Sequence, residues 1–287
     1  MSVAGSSSDA SDSAIALADR MAPVRATGRA ALTCARVGDR TRIVDLDERG
    51  GYRIKFPTAV GSVLEPVVIN TGGGVAGGDR VSFDVVANAR AEVAFSTATA
   101  ERIYRSLGTP TEIDVRLRAD TGASLSWLPQ ATILFSGSRL IRRFDVDVSD
   151  SARLLMAEAT VFGRIASGET MGAGLYHDVW RVRRDGRLLF AETTRLDGNL
   201  DETMRRPAVM ASARSTGLLL YVSPDAEDLR DAVRIALDGA RALHGVSAWN
   251  GMLIVRVLAG GLTETHQALQ RAVQALTPRL VPRAWAH

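Results

Sequence analysis

The sequence predicts a mainly β protein, a stack of β-helix-like, solenoidal strands with two C-terminal α-helices. Three observations carry that expectation. From Gly28 to about Leu200, short period-two runs lie between turn signals. Three of those runs recur with similar spacing. Beyond Pro224 the apolar period lengthens to that of a helix.

The turn signals come first along the chain: Gly38-Asp39, Gly50-Gly51, Ala87-Asn88, Asp120-Thr121-Gly122, Ser136-Gly137 and Asp185-Gly186. Between them run Val81–Val85, Ile113–Leu117 and Phe144–Val148, each with one apolar and one polar face. Each run is followed by a polar turn and a small-residue strand opening. The openings are Ala91-Glu92-Val93, Ala123-Ser124-Leu125 and Ala152-Arg153-Leu154, spaced 32 and 29 residues apart. Units of similar length and pattern can stack as rungs, each burying what its neighbour leaves uncovered. A β-sandwich whose hairpins share turn chemistry is the alternative.

Pro224 to Leu243 carries a helical stripe of Leu229, Val233, Leu237 and Ala240, with Asp225, Glu227 and Asp228 suited to a helix start. A strand follows at Met252–Leu258. A second helix is expected from Thr263 to Leu276, with Leu269, Val273 and Leu276 on one face and Pro278 as its stop. That stripe, with Trp285, is a candidate docking patch, core packing being the other use of such residues. Residues 1–22, rich in Ser, Ala and Asp, read as a disordered tail, with Met21 as an alternative start. Residues 23–287 read as one domain, a β body to about 222 and an α/β end over 223–287.

The 287 residues are enough to bury a sizeable core without a disulfide or metal staple. The 35 basic and 32 acidic residues leave a net charge of +3, too small and too evenly spread to argue for nucleic acid. Aromatic residues, at 5%, are too scarce for base- or sugar-stacking platforms. Cys34 is alone, so no disulfide forms within the chain, which fits a reducing compartment. There is no secretory leader pattern and no apolar window of 18 residues, so a cytoplasmic location off the membrane is expected.

Candidate chemistry is sparse. Asn70 to Arg80 holds five glycines, but no Gly-Lys-Ser/Thr opening a helix, so it is not a nucleotide loop. Gly73, Gly74, Gly77 and Gly78 are expected instead to form a structural turn, through positive φ or close backbone approach. Cys34, inside a strand-like run, reads as a buried inert thiol. His177, His244, His266 and His287 are scattered without metal-ligand spacing, so no tight metal site is expected. Glu158, Glu169 and Glu192 interrupt or end β runs. A carboxylate there must pair, face water or line a wet internal path, and Arg164 and Arg181 are candidate partners.

Several ordered segments together resemble the urease accessory protein UreD (UreH) family. They are Gly73–Asp79, Ile103-Tyr104-Arg105-Ser106, Trp127–Ile133, Glu158 with Gly163-Arg164 and Gly168-Glu169, and Pro282-Arg283-Ala284-Trp285. The resemblance implies a non-enzymatic scaffold for urease maturation. It also implies a mostly β, helix-like stack with UreF, UreG (through UreF) and the urease apoprotein as partners. Cofactors would be none tightly bound, with nickel(II) in transit. Loosely held oxygen ligands suit such transit, because strong His or Cys coordination would trap the ion. Asp79, Glu158 and Glu192 are the acids placed along that path. The competing class is a β-solenoid hydrolase using Glu158 or Glu192.

Overall fold

The computed structural model describes residues 25–58, 61–277 and 280–285. The expectations for residues 1–22, for Met21, for Pro278 and for His287 lie outside those residues.

Alternating apolar and polar residues make strands that bury one face, and here two sheets share the buried space. The first contains β1 (Thr27–Val37), β2 (Arg40–Arg49), β5 (Arg80–Ala87), β8 (Thr111–Ala119), β11 (Arg139–Val148), β13 (Ala173–Arg184) and β14 (Arg187–Asn199). The second contains β3 (Tyr52–Lys55), β4 (Val67–Asn70), β6 (Glu92–Thr97), β9 (Ser124–Leu128), β12 (Arg153–Phe162), β15 (Ser215–Val222), β16 (Leu243–Trp249) and β17 (Met252–Ala259). Two short strands, β7 (Glu101–Ile103) and β10 (Thr132–Leu134), pair with each other and join the second sheet through the end of β12. The order in the first sheet is β14-β13-β11-β8-β5-β1-β2, and in the second β16-β17-β15-β12-β9-β6-β4-β3.

The chain passes repeatedly from one sheet to the other, making a β-solenoid of about four turns. The spacing of the repeat is the register of the rungs. Phe83 pairs with Val115 and Val115 with Phe144 in one sheet, while Val93 pairs with Leu125 and Leu125 with Leu154 in the other. All four of these pairings are parallel, as stacking requires and as a sandwich of simple hairpins does not allow. Antiparallel strands complete the stack: β2 at one end, and β14 and β15 to β17 at the other.

Three helices form among the described residues: α1 (Leu200–Arg205), α2 (Arg230–Ala236) and α3 (Leu262–Leu276). The last matches the expected second helix within a residue. The first expected helix contracts to the seven residues of α2, because Ser223, Tyr221 and Asp225 bond one another in the turns before it. α1 has no apolar stripe to betray it; it is started by Asn199, whose side chain accepts the Glu202 N–H at 3.2 Å. The stripe Leu269, Val273, Leu276 and Trp285 is buried against the outer face of the second sheet, so its use is core packing and not an open docking patch. Burial of each such side chain contributes about 1.5–3 kcal/mol. A second and larger core fills the space between the sheets.

Candidate functional site

β11 alternates Leu140, Arg142, Phe144, Val146 and Val148 toward the interior. One charged residue therefore stands in an apolar row. β12 does the same with Glu158, and β13 with Asp178 between Tyr176 and Trp180. These three ions meet between the sheets, all nearly out of solvent, with side-chain exposures of 4%, 5% and 8% for Arg142, Glu158 and Asp178.

The guanidinium of Arg142 donates through Nε to Asp178 Oδ1 at 2.7 Å and through Nη2 to Asp178 Oδ2 at 3.2 Å, a bidentate fork. Its Nη1 donates to Glu158 Oε2 at 2.5 Å and to Thr132 Oγ1 at 3.2 Å. The second oxygen of Glu158 accepts the indole N–H of Trp127 at 2.7 Å. Asp178 Oδ2 also accepts from Trp180 Nε1 at 2.9 Å and from the Tyr176 hydroxyl at 3.2 Å. Burial pushes the Glu158 carboxyl above the usual carboxylate range, although Arg142 and Trp127 pull the other way. For Arg142 burial acts against the charge, yet Asp178 and Glu158 outweigh it and hold the guanidinium firmly protonated.

This cluster forms the floor of a cavity of about 300 Å³ between β12, β15 and β17 on one side and β13 and β14 on the other. Thr160, Thr194 and Thr216 add hydroxyls to the wall, and Leu196, Met210 and Leu258 add apolar surface. Glu192, on β14, lines the same cavity and forms an ion pair with Arg256 of β17. That pair joins the two sheets nearer to solvent than the floor, with Glu192 23% and Arg256 54% exposed. Glu158 and Glu192, 34 residues apart in the chain, thus share one cavity. Their arginine partners are Arg142 and Arg256. Arg164 pairs instead with Glu169 at 3.0 Å, and Arg181 donates to the backbone carbonyls of Trp180 and Glu192.

Asp79 lies apart from this cavity. Its carboxylate accepts the backbone N–H groups of Ala26 at 2.9 Å and Ala76 at 2.8 Å, tying the Gly-rich turn to the start of β1. In that turn Gly73, Gly74 and Gly78 have φ of +74°, +153° and +91°. Gly77 is tight for another reason: a Cβ there would stand 2.3 Å from Ser106 Oγ and 2.7 Å from the Thr109 carbonyl oxygen. At Gly74 a Cβ would stand 2.6 Å from the Tyr104 ring. L side chains at these positions require the backbone or its neighbours to move.

Cys34 is buried and its thiol is pushed up to about 12 by burial, which makes it inert at neutral pH. Among the described residues no group of three or more His, Cys, Asp and Glu side chains is placed to hold a metal ion. No helix among them is long and apolar enough to cross a membrane.

Sequence reasoning passed over Arg142 and Asp178. The signal was present: each is in phase with its strand's inward apolar residues. It also passed over Glu101, half-buried on β7, where it accepts from Tyr52 Oη and Asn70 Nδ2, both at 2.9 Å. Burial raises the Glu101 carboxyl as well.

A model of the UreD urease accessory protein family matches residues 26–286. The chain belongs to that family. It is 43% identical over 280 residues to the urease accessory protein UreD of Xanthobacter autotrophicus, covering 97% of this chain and 96% of that protein. With the UreD of Azorhizobium caulinodans the identity is 41% over 262 residues, covering 91% of this chain and 97% of the relative. Membership makes the chain a non-catalytic accessory protein of urease maturation, involved in nickel insertion. The hydrolase reading of Glu158 and Glu192 is thereby set aside.

Proposed function

We propose that the chain acts in the cytoplasm as a scaffold that joins UreF, and through it UreG, to the urease apoprotein, and that its charged interior is the stretch of protein nickel passes on the way to urease. The observation that carries the second part is the shared cavity. Two acids that are remote in sequence face one space, one at its floor and one near its mouth. The ligand set is oxygen-only, from carboxylates and hydroxyls, which suits an ion that must be released again. Each carboxylate already holds an arginine, so an arriving dication competes with a resident cation and is not trapped. Nickel is cargo here. In this reading Asp79 holds its turn, since both its oxygens are engaged by backbone N–H groups.

The test pairs two measurements on the same preparations, pull-down of the assembly and nickel per urease active site. Glu192→Gln keeps shape and removes charge, and is expected to leave assembly intact while urease recovers less nickel. Glu158→Gln is expected to do the same with some loss of stability. Asp79→Asn is expected to lower stability and assembly together, with normal nickel in whatever complex forms. Full nickel loading with both glutamine variants removes the cavity from the route.

A further inference from the structure

The two arginines of the cavity are held in different ways. At the floor Arg142 is fixed. Its guanidinium bonds Asp178, Glu158, Thr132 and Tyr176, and its guanidinium carbon lies 5.1 Å from the centre of the Phe144 ring. At the mouth Arg256 is held by one group. Among the described residues its guanidinium pairs with Glu192 alone, and 54% of the side chain is exposed, against 4% for Arg142. An ion pair so open to water holds its arginine lightly, because solvent screens it and a long side chain must be ordered to make it.

Glu192 is the anchored member of the pair. Its carbonyl oxygen accepts from Arg181 Nη1 at 3.2 Å, and β14 is paired along its length with β13. Arg256, by contrast, has somewhere to go. On β17 it stands between Leu218 of β15 and Gly245 of β16, its two antiparallel partners. Residues paired in this way project from the same face of a sheet. A Cβ on Gly245 would meet nothing within 4 Å, so the arginine has open space on that side. Gly245 has no positive φ, so its backbone conformation does not itself call for glycine.

We propose that Arg256 is the gate of the cavity, a displaceable counter-ion that a divalent cation evicts from Glu192. The guanidinium swings into the space over Gly245 while Arg142 stays in place. The cation then takes Glu192 as its carboxylate ligand, and Thr194, two residues along β14 and lining the same cavity, offers a hydroxyl. Water fills its remaining positions. When the ion moves on, the guanidinium returns to Glu192, so one resident charge governs both entry and release. The proposal rests on the reading that nickel passes this cavity, and it adds which group controls the passage.

Equilibrium dialysis of nickel(II) against the purified full-length chain tests it. Arg256→Met frees Glu192 and is expected to bind nickel at least about tenfold more tightly than the parent, because a positive charge beside the ion is gone. The gain should vanish when Glu192→Gln is added. Gly245→Val fills the open space and is expected to bind more weakly than the parent. Arg195→Met frees Asp197, on the same strand but outside the cavity, and is the control expected to leave the affinity unchanged. Melting temperatures check that each variant is folded; Arg195, Gly245 and Arg256 are all exposed. The gate is overturned by a folded Arg256→Met that binds no more tightly than the parent, or by a gain that survives Glu192→Gln. An equal gain in Arg195→Met, or parent affinity in Gly245→Val, also overturns it. Failure of the nickel-route reading looks different: the affinities then change as stated, while urease matured with Glu158→Gln or Glu192→Gln is fully loaded.

Discussion

The interior between the two sheets has a dry half and a wet half, and both are built from the same repeating rung. In the dry half Phe83 meets Tyr52 and Trp127 edge-on at 5.6 Å, and Phe95 stacks on Trp127 with ring centroids 4.3 Å apart. In the wet half the neighbouring column of inward positions carries charge: Arg142 and Asp178 stand in register with Ile113 and Val81, and Glu158 lies two residues beyond Met156, the partner of Trp127. Trp127 is the boundary. Its ring faces the aromatic stack and its N–H feeds Glu158. The difference teaches that strand pairing alone does not set the chemistry of a solenoid interior. Parallel stacking fixes where side chains point, and single residues in phase with apolar rows decide whether that space holds charge. The wet half also costs stability that a packed apolar core would not, because ions have been removed from water. Such a cost is consistent with selection for use of the cavity.

The strongest way to break the comparison is to truncate one member of each half. Phe95→Ala and Arg142→Met are each expected to lose about 3–5 kcal/mol of unfolding free energy, the first by leaving a cavity and the second by leaving two buried carboxylates unpaired. Urea denaturation measures both. The two should differ in kind: the loss in Arg142→Met should shrink at acid pH, where Glu158, already raised by burial, takes a proton, and the loss in Phe95→Ala should not.

A smaller effect sharpens the boundary. Trp127→Phe keeps an aromatic ring against Phe95 but leaves Glu158 Oε1 without its donor, with an expected cost of about 1–3 kcal/mol. Combined with Glu158→Leu the cost of losing the donor should vanish, whereas combined with Phe95→Ala it should persist. A double-mutant cycle in denaturant reads that coupling.

The smallest expected effect concerns pH. Glu158 has its carboxyl raised by burial, so the folded chain holds that proton more tightly than the unfolded chain does. The sign follows by linkage: this group favours folding below the ordinary carboxylate range, and the benefit is lost as pH rises through the window above it. Glu101, which accepts from Tyr52 of the aromatic group, acts with the same sign. Melting temperature followed from acid to neutral pH should therefore fall less steeply in Glu158→Gln than in the parent. Phe95→Ala, in the dry half, should leave the slope unchanged.

Much of this was legible in the sequence and some was not, for physical reasons. The spacings of 32 and 29 residues gave the register directly, because parallel rungs repeat at the length of the chain between them. α3 was legible because a long amphipathic stripe outweighs its neighbours. The turns of the β1–β2 and β13–β14 hairpins were legible at Gly38-Asp39 and Asp185-Gly186, but the pairing of β15 with both β12 and β17 was not, since which strand lies beside which there depends on the whole stack. At the site, Glu158 and Glu192 stood out as acids in apolar surroundings, but their common cavity depends on a sheet-to-sheet contact between β14 and β17. Arg142 and Asp178 were hidden by abundant arginines and aspartates nearby. In Arg139–Val148, Arg142 and Arg143 are adjacent, and only the strand phase tells the inward one from the outward one. His177 and Asp178 are adjacent, and it is the aspartate that faces the interior.

The central claim is that nickel bound for urease passes the wet half. Thr194→Trp tests it most directly, because Thr194 lines the cavity and a bulky side chain there fills space without removing any charge. Complexes with UreF, UreG and urease would be isolated from cells expressing this variant, and nickel per urease active site counted. The account predicts a normally melting, normally assembled complex whose urease is markedly short of nickel. Urease loaded as fully as with the parent chain, from an equally intact complex, would contradict it.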